Sequence, residues 1–266
     1  MSAGREVPPA DCGTIPAIVA RYPYSPRVSY TFGPGAVSSG IKTLIWANVA
    51  VFIVTSLVPE LTLYFGLAPV AVFEQWWIWQ PVTYMFLHGG LFHILFNMLA
   101  LWMFGADLER LWGTTFFYKY YLITGVGAGL TTLAVSLLPT QPGTQMYYSV
   151  TVGASGAVYG LLLAYAMYYP DRPIYMYLLF PIPAKYFVMI IGAIAFMSSA
   201  SASQGGVAHI AHLGGLLWGY VYLKGGRTGV LAEIKYRYLR WKMSRLRQKF
   251  TVHSTGRHHD SERRPH

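Results

Sequence analysis

Three short patterns carry residues that could do chemistry. Gly153-Ala154-Ser155-Gly156 offers a hydroxyl, His212 an imidazole, and His93-x-x-x-Asn97 a ring N–H and a carboxamide on one helix face. A serine hydroxyl is a weak nucleophile until a base takes its proton. His212, of a residue type titrating near ~6.5 when unperturbed, suits that role and the later protonation of a leaving amine. Acyl transfer also needs donors aimed at the developing oxyanion. Asn97, His93 and the backbone N–H of Ser155 could supply them. Taken singly, each residue has a plainer explanation: a small packing serine, an interior histidine, a polar pair bonding neighbouring helices.

No carboxylate completes a triad at the right depth. Asp107 and Glu109 lie ten or more residues beyond Asn97, about 15 Å further along a helix. Glu60, Glu74 and Asp171 fall in connections. The residues therefore predict a Ser–His dyad. A metal centre is the competing chemistry, since His88, His93, His209 and His212 could donate nitrogen. None forms a His-x-x-x-His pair on one helix, and no carboxylate or cysteine joins them, so neither metal nor cofactor is expected.

The elements that must position these groups are apolar and long. Of the 266 residues, 54% are hydrophobic and only 11% charged, against roughly 25% charged in an ordinary soluble domain. So few charges cannot coat a water-soluble sphere. Cys12 is the single cysteine, which excludes an intrachain disulfide or a cysteine zinc site. Six apolar segments recur at 41–58, 91–107, 115–138, 150–168, 185–203 and 206–224. Most approach the ~20 residues that cross a hydrocarbon core of about 30 Å, and a spanning backbone must satisfy itself as helix. Residues 1–40, rich in Pro, Gly and Ser, contain no secretory signal pattern.

Basic residues set the orientation. Arg21, Arg27 and Lys42 precede the first segment, Arg110 and Lys119 follow the second, and Arg172 and Lys185 follow the fourth. The stretches 59–90, 139–149 and 199–209 have no Lys or Arg. Both termini are thus expected in the cytoplasm of a cell membrane, plasma or bacterial inner. Segments two, four and six then run inward from the outer side. Helices starting at 150 and 206 would put Ser155 and His212 roughly 7 to 9 Å below their outer ends, with Asn97 at a similar depth. Polar groups gathered in one layer of a bilayer are expensive and face a wet interior. Gly156 and Gly160, and Gly215 and Gly219, form two small-xxx-small faces. If those faces meet, Ser155 comes within reach of His212.

Connection 59–90 is long but apolar, with Trp76, Trp77 and Trp79 close together, and is expected to lie partly embedded at the interface. The net charge of +10 belongs to the tail: twelve Lys or Arg from Lys224 onward face only Glu233, Asp260 and Glu262. Nucleic acid is therefore not an expected partner. Tyr236, Leu239, Met243, Leu246 and Phe250 make an apolar stripe among those cations. The tail, 225–266, is expected either to lie on anionic lipid as an amphipathic helix, with disorder beyond, or simply to fix topology.

In this order the motifs resemble the rhomboid family of intramembrane serine proteases. The matching pieces are Trp79-Gln80, His88 through the His93-x-x-x-Asn97 motif, Glu109-Arg110, Gly153-Ala154-Ser155-Gly156 and Ala211-His212-x-x-Gly215-x-x-x-Gly219. The resemblance implies an all-α membrane protein, a six-transmembrane-helix bundle over 41–224 with a partly embedded outer loop between helices 1 and 2. It implies cleavage of single-pass transmembrane or membrane-anchored proteins. It assigns Ser155 as nucleophile and His212, over His209, as base and then acid. His93, Asn97 and the Ser155 amide form the oxyanion hole beside Gly153, and Tyr159 is the aromatic packed on the base. The first outer loop and the fifth helix would border substrate entry. Gln80 is a departure, since some members have Arg after the Trp, and it leaves the loop's anchoring contacts open. Inactive relatives acting as membrane chaperones or binding proteins lack the serine or the histidine, and this chain has both. Polar groups within apolar segments would also suit a transporter or channel, which nothing else favours.

Overall fold

The computed structural model describes residues 36–176, 180–199 and 205–227. The expected N-terminal segment up to residue 35 and the amphipathic tail lie outside the described residues.

The described chain is mostly helical. Helix α1 is Ser39–Leu57 and α5 is Leu91–Trp112; each is long and apolar enough to cross a bilayer alone. Helix α6, Thr114–Ser136, meets that criterion together with the short α7, Gln141–Tyr147, the two being bent by 120°. Helices α8, Ser155–Tyr168, and α9, Ala184–Ser199, are shorter and apolar. Helix α10 is Gly205–Arg227. Trp46, Leu57, Phe92, Phe96, Phe196 and Met197 expose more than half of their surface, as lipid-facing side chains do.

Two features depart from a simple row of helices. Residues 173–183 form an antiparallel hairpin, Pro173–Met176 (β1) with Phe180–Pro183 (β2), in register Pro173 to Pro183. The 59–90 connection folds into α2 (Leu61–Phe65), α3 (Pro69–Glu74), α4 (Gln80–Thr83) and a 3₁₀ turn at Tyr84–Phe86. Its floor is buried at Leu67, Tyr84, Met85 and Leu87, while Trp76 and Ile78 stand outside. Tyr64, Trp77 and Trp79 stack in a row, and Trp79 Nε1 donates to the Tyr64 carbonyl at 2.9 Å.

The first helix is tied down by a carboxylate. Glu109, 4% exposed, accepts from the N–H groups of Gly40 and Ile41 at 3.0 and 3.1 Å and from the Ser38 hydroxyl. Thr114 Oγ1 donates to it at 2.7 Å. Orphan N–H groups and the helix dipole both favour a negative charge there. On the same side Asp107 pairs with Arg110 and Arg172 at 2.9 and 2.7 Å.

Candidate functional site

Helix α6 packs against both α8 and α10, and α8 and α10 pack against each other. Their closest approach is at glycine. A Cβ on Gly215 would lie 1.9 Å from the Gly156 carbonyl oxygen, and one on Gly219 would lie 3.3 Å from the Gly160 Cα. The two small-residue faces meet, which was the condition for bringing Ser155 to His212. Gly156 follows Ser155 directly, and Gly215 is one turn beyond His212. The backbone contact therefore brings the two polar side chains together: His212 Nε2 lies 2.8 Å from Ser155 Oγ.

Tyr159, one turn along α8, stacks on the His212 ring with centroids 4.1 Å apart and planes 3° from parallel. His212 Nδ1 has no hydrogen-bond partner among the described residues. For Nε2 to accept the serine proton, the ring proton must sit on Nδ1, and no carboxylate among the described residues holds it there. The ring of His209 lies edge-on to that of His212 at 5.7 Å.

Ser155 is the first residue of α8, which corrects the expectation of a helix already running from residue 150. Residues before it are not helical: Thr151 bridges Leu67, Ala154 is in a turn, and Gly153 adopts φ +128, a conformation open to glycine but strained for other residues. The helix cannot propagate back through that residue. In consequence the Ser155 N–H is one of the four at a helix start that lack an intrahelical acceptor.

His93 lies over this turn. A Cβ on Gly153 would be 2.8 Å from both Cε1 and Nε2 of the His93 ring, so glycine is required by the ring as well as by φ. The Gly89 N–H donates to His93 Nδ1 at 3.3 Å, which leaves the ring proton on Nε2, the nitrogen facing Gly153. Asn97 is buried, and its Nδ2 donates to the His93 carbonyl at 2.8 Å. One of its two amide hydrogens is thus spent on its own helix, and the second is left for another acceptor. Among the described residues no cluster of three or more His, Cys, Asp or Glu could hold a metal ion.

Several contributors escape a reading of the motifs. The Tyr84 carbonyl accepts the Gly153 N–H at 2.9 Å, and its buried hydroxyl donates to the Gly125 carbonyl at 2.7 Å. His88, 7% exposed, sets its ring edge-on to His93 at 5.1 Å. Burial, and then the neighbouring His93, push the His88 imidazole down to about 4. Only His88 had a visible signal, as a potential nitrogen ligand.

The Rhomboid domain family matches residues 74–226, more than half of the chain and all of the residues just described except the first turns of the 59–90 connection. The chain belongs to the rhomboid family. It is 28% identical over 214 residues to Rhomboid protease AarA of Providencia stuartii, covering 74% of this chain and 75% of that protein. It is 30% identical over 138 residues to Rhomboid protein 1, mitochondrial, of Saccharomyces cerevisiae, covering 52% and 38%. Rhomboid protease GluP of Bacillus subtilis is 30% identical over 156 residues, covering 59% and 27%. The rhomboid chain thus spans about a third of the yeast and Bacillus proteins and three quarters of the Providencia one.

Proposed function

We propose that this rhomboid chain is an intramembrane serine endopeptidase, with six spanning helices (α1, α5, α6, α8, α9 and α10), both termini cytoplasmic, and single-pass transmembrane proteins as substrates. The observation that carries the proposal is the 2.8 Å contact between Ser155 Oγ and His212 Nε2 on two helices in backbone contact. At about 1.5 Å per residue, the 14 residues of α8 span roughly 21 Å. That is short of a core of about 30 Å, so at least one end of α8 lies below a surface, and the proposed orientation makes it the Ser155 end.

In the proposed reaction His212 Nε2 takes the proton of Ser155 Oγ as that oxygen attacks the scissile carbonyl carbon. The carbonyl π electrons move to oxygen, where the Ser155 N–H, His93 Nε2–H and the second Asn97 hydrogen are the available donors. The C–N bond then breaks, and the departing amine takes the proton from His212. Water attacks the acyl-enzyme with His212 again as base, releasing the acid and restoring the serine. A helical substrate carbonyl is already hydrogen-bonded, so small or helix-breaking residues are preferred near the cut.

Labelling with a fluorophosphonate probe and cleavage of a transmembrane substrate in liposomes test this together. Wild type is expected to label and cut, while Ser155→Ala and His212→Ala do neither. Cleavage that survives Ser155→Ala would refute the nucleophile, and a wild type that binds substrate without labelling or cutting would indicate a silent binding protein.

A further inference from the structure

The outer loop is bonded directly to the residues that lead into Ser155. Leu67 and Thr151 exchange both hydrogen bonds of an antiparallel bridge, at 2.9 and 2.8 Å, and the Tyr84 carbonyl holds the Gly153 N–H at 2.9 Å. Gly153 in turn lies against the His93 ring. The register of residues 151–153 on the loop therefore decides where Ser155 emerges and how its N–H is set against His93.

One side chain fixes the loop's half of that bridge. Gln80 is fully buried. Its Oε1 accepts from the Ala68 N–H at 2.9 Å, and its Nε2 donates to the Leu63 and Tyr64 carbonyls, each at 3.2 Å. Ala68 is the neighbour of Leu67, and the two carbonyls close the end of α2. A carboxamide both accepts and donates; a guanidinium or ammonium only donates, and a carboxylate only accepts. Leaving such buried backbone groups unmet is costly, so the loop's path past residue 67 depends on this amide.

We propose that Gln80 is a positioning residue for the Ser155 site, acting through Ala68 and Leu67 on Thr151 and Gly153. The inference rests on Ser155 being the nucleophile.

The full-length chain in liposomes, as wild type, Gln80→Leu, Gln80→Glu and Thr83→Val, supplies the test. Gln80→Leu keeps the volume and loses every bond. It is expected to lower kcat about tenfold or more with KM within about twofold, as misplacement of reacting groups does. Amide exchange over 151–153 should rise in step. In Gln80→Glu the buried carboxyl favours its neutral form, which offers one donor and one acceptor. The activity of Gln80→Glu relative to wild type should therefore be near one at acid pH and fall as the carboxyl ionises. This readout survives even if Gln80→Leu does not fold. Thr83 Oγ1 donates to the Phe65 and Trp79 carbonyls at 2.7 and 3.2 Å, whereas the Ala68 N–H is held by Gln80. Thr83→Val is therefore expected to stay within about twofold of wild type. Unchanged kcat and exchange in Gln80→Leu, a flat activity ratio in Gln80→Glu, or an equal loss in Thr83→Val would each overturn the proposal. If wild type cuts nothing, proteolysis falls as a function, and the exchange measurement alone decides whether Gln80 sets the 151–153 register.

Discussion

Gly215→Ala should separate Ser155 from His212 without altering either residue. The new Cβ would stand 1.9 Å from the Gly156 carbonyl oxygen, and ordinary contact begins near 3.4 Å. The obstruction is backbone, not the tip of a flexible side chain, so α8 and α10 must part by about 1.5 Å at that point. Gly156 adjoins Ser155 and Gly215 is one turn from His212, so most of the separation reaches the reacting pair. A contact of 2.8 Å then opens to about 4 Å, beyond hydrogen-bonding range. Proton transfer is lost with the contact, and a displacement of this size costs on the order of 100-fold. Overpacking itself should destabilise by about 1–3 kcal/mol. The assay is the rate of fluorophosphonate labelling at Ser155, paired with an unfolding curve to separate misplacement from unfolding. Gly192→Ala is the control: its Cβ would meet Leu216 Cδ1 at 3.4 Å, an ordinary contact, so labelling should stay at the wild-type rate. Folded Gly215→Ala that labels as fast as wild type would refute the argument that this glycine contact sets the dyad.

Three further outcomes are expected. Replacing Glu109 by Leu leaves the Gly40 and Ile41 N–H groups and two hydroxyls without their acceptor; denaturant or SDS unfolding should show a loss of about 2–4 kcal/mol. His88 binds its proton near pH ~6.5 when unfolded but only at about 4 when folded, so its contribution is complete above pH ~6.5 and is lost as pH falls toward 4. Over that window wild type should lose up to about 3 kcal/mol more than His88→Gln, and equal losses would contradict a buried neutral imidazole. Tyr84→Phe removes the bond to the Gly125 carbonyl and should cost about 1 kcal/mol in unfolding; labelling should persist, because the Tyr84 carbonyl that holds Gly153 is untouched.

That Tyr159 packs on His212 came from the family resemblance, whereas composition and spacing were enough to place the apolar helices to within a few residues at most ends, to set Ser155 and His212 at one depth, and to mark glycine faces on α8 and α10 by which the two could meet. These are matters of residue type and of a helical period that repeats over three or four positions, and they are written locally. What waited for the tertiary structure depends on segments far apart in the chain. The start of α8 at Ser155 in place of residue 150 follows from the Leu67–Thr151 bridge and the φ of Gly153, and neither shows in an apolar run. The role of Glu109 at the start of α1 and the hairpin at 173–183 were likewise invisible to hydropathy. Gln80 is the clearest case: the motifs marked it only as a departure that left the loop's anchoring contacts open. Its use is decided by three backbone groups that reach it only after the chain has folded back on itself, because a buried amide is worth keeping only where acceptor and donors are all met.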